Sequence, residues 1–258
     1  MKKVIVTGAG GQLGLTLMES ASTHDNLYVE SKTADELNIT SLESIQKALK
    51  NGNYDFCINC AAYTNVEQSE KTPDIAFKVN AEGAKNLALC CKENDTALIH
   101  ISSDYVFDGT KSGPYTIYDP TNPINEYGKS KLKGEQYIRQ IWDNHFIIRT
   151  SWLYSKKYGQ NFYRTIVQKA KEGLELRVTD AQIGCPTNTE SLAKFILGEV
   201  LQGNHAYGTY HFTDRKPMTW YKFAQQILEE NSLMGNANLV LDRNYRTFAK
   251  RPKNSVLS

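Results

Sequence analysis

The chain has 258 residues, enough for one or two domains, and its 40% hydrophobic and 22% charged residues are typical of a globular protein. Collagen-like, disordered and disulfide-scaffold classes are therefore excluded. The apolar runs are far shorter than the roughly 20 residues of a membrane helix, so we expect no membrane partner. A net charge of +2, from 30 basic and 28 acidic residues, gives no reason to expect nucleic acid as a partner.

The five cysteines predict a reducing, cytoplasmic location, because their number is odd and the sequence has no recognisable secretory signal. Cys57 and Cys60 form a C-x-x-C motif. Residues three apart on a strand face opposite sides, so we expect neither a redox pair nor a metal site there. The histidines show no ligand spacing, and we assign no metal.

Predicted strands and helices alternate through the first 150 residues. Short apolar runs predict strands at Lys3–Thr7, Leu27–Glu30, Asp55–Asn59, Ala97–Ser102 and His145–Arg149. Apolar residues at three-and-four spacing predict helices between them, at Gly11–Ser22, Leu42–Lys50, Pro73–Lys92 and Asn125–Trp142. This alternation predicts an α/β fold of the Rossmann type, a doubly wound parallel sheet with helices on both faces.

After Thr150 the pattern becomes less regular and the connections become longer. Helices are predicted at Asn161–Glu172, Ser191–Gln202 and Thr219–Asn231, and a strand at Tyr207–Thr213. We expect a smaller second region whose pieces interleave with the first. The basic cluster near the end of the chain is either a solvated tail or an anion-binding site, and it comprises Arg243, Arg246, Lys250, Arg251 and Lys253.

A glycine-rich turn follows the first strand and opens the first helix. Gly8, Gly11 and Gly14 form G-x-x-G-x-x-G, which allows a tight turn, approach of a pyrophosphate and close packing of helix on strand. The helix N-terminus adds free N–H groups. Glu30 stands where a carboxylate binds a ribose hydroxyl, which favours NAD, while the three-residue glycine spacing and Lys32 leave NADP open.

Tyr127 and Lys131 are four residues apart in a predicted helix, about 6 Å along one face. An ammonium beside a phenol favours the phenolate, so the pair predicts a proton donor and acceptor that works near neutral pH. Ser103 ends the fourth predicted strand and shares an edge of the sheet with the glycine turn, where its hydroxyl can hold a carbonyl oxygen. The small residues Ala61 and Ala62 follow the third strand and suit close approach of a cofactor.

Together these motifs resemble the extended short-chain dehydrogenase/reductases, and within them the dTDP-4-dehydrorhamnose reductase family most closely. The motifs are T-G-x-x-G-x-x-G, N-x-A-A-x-T, S-S-D-Y-V-F-D-G and Y-G-K-x-K, and the likeness covers the whole chain. More specific matches are Arg149–Tyr154, Asn161-Phe162, Gly184–Thr187, Thr219–Ala224 and Arg251–Leu257.

The resemblance implies a function and a set of site residues. NADPH or NADH would reduce the C4 ketone of dTDP-4-dehydro-L-rhamnose to give dTDP-L-rhamnose for surface polysaccharide. The catalytic residues would be Ser103, Tyr127 and Lys131. The cofactor-binding residues would be Gly8, Gly11, Gln12, Leu13, Gly14, Glu30, Asn38, Ile39, Ala61, Ala62, Tyr63, Tyr127 and Lys131. The substrate-binding residues would be Ser103, Asp104, Tyr105, Trp152 and Arg251.

The resemblance also implies a domain division, with residues 1–150 and about 187–214 as the NAD(P)-binding domain. Residues from about 151 to 186 and from 215 to 258 would form the substrate-binding region. Whether the protein forms a homodimer is left open. Glu190 matches a position in magnesium-bridged dimers of the family, whereas Thr16 stands where those dimers have Glu. Relatives continue beyond Ser258, so C-terminal truncation is open as well.

Related functions remain as alternatives. A sugar-nucleotide dehydratase pairs Asp with Glu beside its serine or threonine, and this chain has Tyr105 in place of the Glu base. A reductase or epimerase of another nucleotide sugar, and a non-catalytic NADP-binding regulatory subunit, would carry the same fold. The intact Ser103, Tyr127 and Lys131 favour the enzyme over the regulatory subunit.

Overall fold

The structure is a computed structural model that describes residues 1–50 and 52–258. Its centre is a six-stranded sheet in the order β10-β5-β4-β3-β1-β2, with all neighbouring strands parallel. The strands are β1 (Lys2–Thr7), β2 (Leu27–Lys32), β3 (Phe56–Asn59), β4 (Ala97–Ser103), β5 (His145–Thr150) and β10 (Gly208–His211). The predicted Rossmann-type α/β fold is therefore confirmed.

Helices cover both faces of the sheet. They are α1 (Gln12–Ala21), α2 (Leu42–Leu49), α3 (Val66–Lys71), α4 (Pro73–Phe77), α5 (Gly83–Glu93), α6 (Glu126–Ile141) and α8 (Thr189–Phe195). Leu17 of α1 packs with Leu192 of α8 on one face. Ile45 of α2, Leu87 of α5 and Ile138 of α6 pack on the other. Two-sided burial explains why the central strands β1, β3, β4 and β5 are rich in apolar residues.

The remaining elements are short pieces and two further helices. They are β6 (Leu153–Tyr154), α7 (Phe162–Lys171), β7 (Leu176–Val178), β8 (Ile183–Gly184), β9 (Thr187–Asn188), β11 (Met218–Thr219), α9 (Trp220–Glu230) and β12 (Leu239–Leu241). Ile166 of α7 and Phe223 of α9 belong to a third apolar core, separate from the two that flank the sheet. α8 and β10 pack with the sheet, whereas α7 and α9 pack on each other.

Three boundaries differ from the sequence predictions in ways that matter for the site. β2 continues to Lys32, because its pairing with β1 runs on to Thr7. β4 continues to Ser103, which pairs with Thr150. The helix predicted at Pro73–Lys92 is divided by a π-helical turn at Lys78–Glu82.

The C-x-x-C cysteines lie as predicted, because Cys57 packs in the core under α5 while Cys60 packs toward the core under α1. Outside residue 51, none of the helices combines the length and the apolar character that a bilayer crossing requires.

Candidate active site

A cleft of about 500 Å³ opens at the carboxyl ends of the parallel strands. This is where ligands bind in open α/β sheets. Most of the predicted site residues line it: Gly11, Gln12, Leu13, Gly14, Ala62, Ser103, Asp104, Tyr105, Tyr127, Lys131 and Trp152. Its size is within the range of small-molecule and cofactor sites, about 300–1,000 Å³.

The glycine turn, residues 7–14, depends on backbone clearances that a side chain would fill. Gly8 has a φ of +67°, and a Cβ there would lie 2.5 Å from the backbone nitrogen of Ala61. A Cβ at Gly14 would lie 2.6 Å from Ala9 Cα and 2.7 Å from the carbonyl oxygen of Gly8. The turn therefore packs against the segment after β3 and against the first turn of α1.

The N-terminus of α1 suits the pyrophosphate of a dinucleotide. Its N-cap is Gly11, which has no side chain to bond the first N–H groups of the helix. These groups have no intrahelical acceptor and carry the positive end of the helix dipole. With the glycine clearances and the neighbouring cleft, they fit a nicotinamide dinucleotide.

Ser103 ends β4 and begins a short 3₁₀ turn at Asp104–Val106. Its Oγ accepts a hydrogen bond from the backbone N–H of Tyr105 at 3.1 Å and donates to Asp104 Oδ1 at 3.0 Å. Asp104 is 2% exposed, and its Oδ2 accepts from Ser151 Oγ at 2.8 Å. Burial raises the pKa of Asp104 to about 6 although hydrogen bonds from Ser255, Ser151 and Ser103 oppose the shift.

Tyr127 lies in the first turn of α6, which is held against the end of β4. A Cβ at Gly128 would lie 2.2 Å from the carbonyl oxygen of Tyr105, so only glycine allows this approach. Asn125 caps the helix by accepting from Gly128 N at 2.7 Å. Burial of the hydroxyl raises the pKa of Tyr127, and a hydrogen bond with Ser103 partly opposes this.

Lys131 is 2% exposed and lies one turn after Tyr127. Its Nζ donates to the carbonyl oxygen of Ile101 at 2.7 Å and lies 3.3 Å from His100 Nε2. Burial lowers the pKa of Lys131 to about 8. The pKa of Tyr127 is raised rather than lowered, because desolvation of its buried hydroxyl dominates. The expectation that the Lys131 ammonium favours the phenolate stays a prediction.

Two stacked aromatic side chains also line the cleft. Trp152 stacks on Trp220 with ring centroids 3.5 Å apart and an interplanar angle of 7°. Trp152 has a φ of +47°, and Gly184 leaves room for its ring. Left-handed backbone is costly for a bulky residue, so the surrounding packing must hold Trp152 in this position.

Arg251 does not line the cleft but touches it through Tyr105. Its guanidinium donates to Tyr105 Oη at 3.1 Å and to Glu67 Oε1 at 2.6 Å. The other residues of the predicted basic cluster, Arg243, Arg246, Lys250 and Lys253, are exposed. Within this cluster, only Arg251 is held against a residue of the cleft.

Several predicted cofactor residues lie outside the cleft. Glu30 pairs with Lys32 at 2.7 Å and accepts from Tyr54 Oη, and it lines a different cavity beside α2. Glu30 lies two residues before the end of β2, so its carboxylate is not at the strand end where a ribose hydroxyl would bind. It therefore gives no support for NADH over NADPH. The Asn38 side chain bonds Thr40, Ile39 is buried against Gly83, and the backbone of Tyr63 bonds Asn80.

Three buried polar residues outside the predicted set of site residues support the cleft. Asn80, in the π-helical turn, donates to Ser130 of α6 and to the Tyr63 carbonyl, which ties the segment after β3 to the helix of Tyr127. Asn59 and His100 lie behind Lys131 and contact each other at 3.0 Å. Asn59 begins the N-x-A-A-x-T motif, whereas the only sequence signal of His100 is a polar side chain inside an otherwise apolar strand.

Comparison with known proteins identifies the family of the chain. The family model described as "RmlD substrate binding domain" matches residues 1–258. A dTDP-4-dehydrorhamnose reductase of Aggregatibacter actinomycetemcomitans is 36% identical, over 100% of this chain and 90% of the relative. The chain belongs to the dTDP-4-dehydrorhamnose reductase family.

Other members of the family extend the likeness. The spore coat polysaccharide biosynthesis protein SpsK of Bacillus subtilis is 39% identical, over 100% of this chain and 89% of the relative. The crystal structure of the dTDP-4-dehydrorhamnose reductase of Bacillus anthracis, in complex with NADP, has a TM-score of 0.94 and 36% identity, covering 100% of this chain and 91% of that one. The family model and both full-length matches support the same family assignment.

Proposed function

We propose that this protein reduces the C4 ketone of dTDP-4-dehydro-L-rhamnose with NADPH or NADH to give dTDP-L-rhamnose. One observation carries the proposal: Ser103, Tyr127 and Lys131 line the same cleft as the N-terminus of α1. Relatives named dTDP-4-dehydrorhamnose reductase, at 36% identity over the whole chain, support the choice of substrate.

Tyr127 is the proton donor of the proposed reaction. A reduced nicotinamide, when bound, supplies the hydride that adds to C4. The electron pair of the C4–O4 double bond then moves to O4, and the Tyr127 hydroxyl protonates this oxygen. Because its pKa is raised, Tyr127 keeps its proton at neutral pH and releases it only to a strongly basic alkoxide.

Asp104 orients Ser103 for this step. The hydroxyl of Ser103 donates to Asp104 Oδ1 and accepts from the Tyr105 N–H. A hydrogen bond of Ser103 with Tyr127 opposes part of the rise that burial causes in the pKa of the tyrosine, and so favours release of its proton to O4. To polarise the ketone, as the sequence predicts, Ser103 would have to turn its proton from Asp104 Oδ1 to the substrate oxygen.

We assign the cofactor and the sugar nucleotide to two different groups of residues. We assign the pyrophosphate to Gly8, Gly11 and the N-terminus of α1, with Gln12, Leu13, Gly14, Ala61 and Ala62 beside it. We assign the sugar nucleotide to Asp104, Tyr105, Trp152 and Arg251. Roles for Glu30, Asn38, Ile39 and Tyr63 in holding the adenine side stay predictions.

The domain division follows from this assignment. Residues 1–150 and 187–214, which contain the sheet and α8, would bind NAD(P)H. Residues 151–186 and 215–258, which contain α7, α9 and the third apolar core, would bind the sugar. A cytoplasmic location is supported by the cysteines, all five of which are free thiols.

The test is NADPH or NADH consumption with dTDP-4-dehydro-L-rhamnose, followed by identification of the sugar produced. Tyr127→Phe removes the proton donor but keeps the ring, so turnover should fall on the order of 10²-fold or more. Tyr118→Phe is the matched control, because Tyr118 is 89% exposed and away from the cleft. A wild-type rate in Tyr127→Phe, or a different product sugar, would refute the assignment.

A further inference from the structure

Glu67 lies in the first turn of α3 and accepts three hydrogen bonds from one segment near the end of the chain, residues 248–251. Its Oε2 accepts from the backbone N–H groups of Phe248 and Ala249, at 2.8 and 3.0 Å. Its Oε1 accepts from Arg251 Nη2 at 2.6 Å. These contacts join residues 181 to 184 positions apart, and the mechanism proposed above does not use them.

The contacts of Glu67 fix the direction of the Arg251 guanidinium. Its Nη1 donates to Tyr105 Oη at 3.1 Å, while Nη2 donates to Glu67. A guanidinium carries five N–H donors in one rigid plane, so two anchored donors set the direction of the other three. With Glu67 removed, a single hydrogen bond to Tyr105 leaves the long side chain free to turn about that bond. The Glu67 carboxylate therefore orients the cation that lies against the cleft.

The segment 248–251 is also tied to the helix of the proposed proton donor. Asn125, the N-cap of α6, donates through Nδ2 to the Lys250 carbonyl oxygen at 2.8 Å. The Tyr105 ring, which Arg251 contacts, meets the Tyr127 ring edge to face, with centroids 5.9 Å apart. The segment therefore bridges α3 and the wall of the cleft that carries Tyr127.

Glu67 is ionised at neutral pH. Burial favours the protonated carboxyl, but hydrogen bonds from Ala249 and Arg251 outweigh it and hold the pKa of Glu67 below its usual value. The resulting negative charge repels an anionic ligand, yet the side chain is 39% exposed, so water and salt screen the repulsion. The orientation of Arg251 outweighs this repulsion, because a guanidinium binds phosphate through two N–H groups only when its plane faces the ligand.

We propose that Glu67 is a positioning residue for the sugar nucleotide: it holds the segment 248–251 so that Arg251 faces the diphosphate. The ligand class is a nucleoside diphosphate, because two adjacent phosphates offer acceptors to the three N–H groups of Arg251 that Glu67 and Tyr105 do not use. The inference rests on the proposed function in that Arg251 binds the diphosphate of the sugar nucleotide.

Glu67→Gln tests the proposal because it keeps the length of the side chain but replaces one acceptor oxygen with an NH₂ group. The affinity for dTDP, measured by isothermal titration calorimetry, should fall about tenfold, the loss expected for one charged hydrogen bond. The Kd for NADPH should stay unchanged. In turnover of the sugar nucleotide, KM should rise about tenfold while kcat stays near that of the wild type. Asp74→Asn removes the same charge from an exposed residue of α4 and should leave the dTDP affinity unchanged.

Arg251→Met shows whether Glu67 acts through Arg251. The double variant should bind dTDP as weakly as Arg251→Met alone, whereas a merely structural role of Glu67 would add a second loss. Glu67→Asp keeps the charge and should recover part of the affinity that Glu67→Gln loses. It also replaces Glu67→Gln in this comparison if that variant fails to fold.

Wild-type dTDP affinity in Glu67→Gln, or losses that add in the double variant, overturns the proposal. If Arg251→Met binds dTDP as tightly as the wild type, the assignment of Arg251 fails and the inference fails with it. If the dTDP affinities change as expected but the wild type reduces no sugar, only the proposed function fails.

Discussion

The glycine turn and the wall formed by β4 and α6 face the same cleft but are built in different ways. In the glycine turn the structure depends on the absence of side chains, because a Cβ at Gly8 or Gly14 would lie less than 3 Å from backbone atoms. In the β4–α6 wall it depends on polar atoms that must be paired in the core, such as Ser102 of β4 with Glu135 of α6. The glycine turn is visible in the sequence as a single motif, whereas the wall joins two motifs, S-S-D-Y-V-F-D-G and Y-G-K-x-K, through pairings that the sequence does not show.

The largest effect should come from breaking the buried ion pair between Glu135 of the β4–α6 wall and Arg149 of the neighbouring β5. Arg149 donates to both carboxylate oxygens of Glu135, at 2.9 and 2.7 Å, and the two side chains are 3% and 0% exposed. Arg149→Met leaves Glu135 without its main partner and should lower the free energy of unfolding by about 3–5 kcal/mol. Urea denaturation measures this loss.

The double variant Arg149→Met with Glu135→Met is the control. It removes the charge together with its partner and should recover most of the stability, because an apolar pair can replace a buried ion pair. A single variant as stable as the wild type would show that the wall does not depend on the pair.

A second substitution should raise the free energy of unfolding instead of lowering it. The pKa of Asp104 is raised to about 6, so this carboxyl stabilises the fold most when protonated and loses that contribution as pH rises through about 6. Asp104→Asn cannot ionise and should gain up to about 3 kcal/mol over the wild type at pH 8, with the gain absent near pH 4. Turnover should fall, because Ser103 loses its carboxylate acceptor.

Asp108→Asn provides the contrast for Asp104. Hydrogen bonds from Thr110 lower the pKa of Asp108 to about 2, so its contribution is present above its unfolded pKa and lost toward low pH. This variant should lose stability at pH 8 where Asp104→Asn gains it. Thermal unfolding of both variants between pH 4 and pH 8 decides the signs.

The smallest expected effect on stability lies in the glycine turn. Gly14→Ala places a methyl group against the backbone of Gly8 and Ala9, which cannot move away as a flexible side chain would. The free energy of unfolding should fall by about 1–3 kcal/mol, and the Kd for NADPH should rise about tenfold or more as the turn shifts. Gly10→Ala should leave stability unchanged, since a Cβ there meets no atom within 4 Å. Equal stability losses in the two variants would contradict the clearance argument.

Local patterns predicted much of the fold and part of the site. The order of strands and helices through Thr150 follows from apolar runs and three-and-four spacing, and most boundaries differ by one residue. The glycine turn, Ser103, Tyr127 and Lys131 could be placed at one edge because parallel strands end on the same side of a sheet. Glu30 could not be placed, because the number of residues between Gly8 and Glu30 does not give the length of β2.

The sequence by itself determined the architecture and the chemical type of the site, since periodicity, glycine spacing and the Tyr–Lys interval act over a few neighbouring residues. Only the tertiary structure decided how the site is tuned. The pairings of Asn59 with His100 and of Glu135 with Arg149 join strands and helices far apart in the chain. The pKa values of Tyr127, Lys131 and Asp104 follow from burial, which depends on everything that packs around each group.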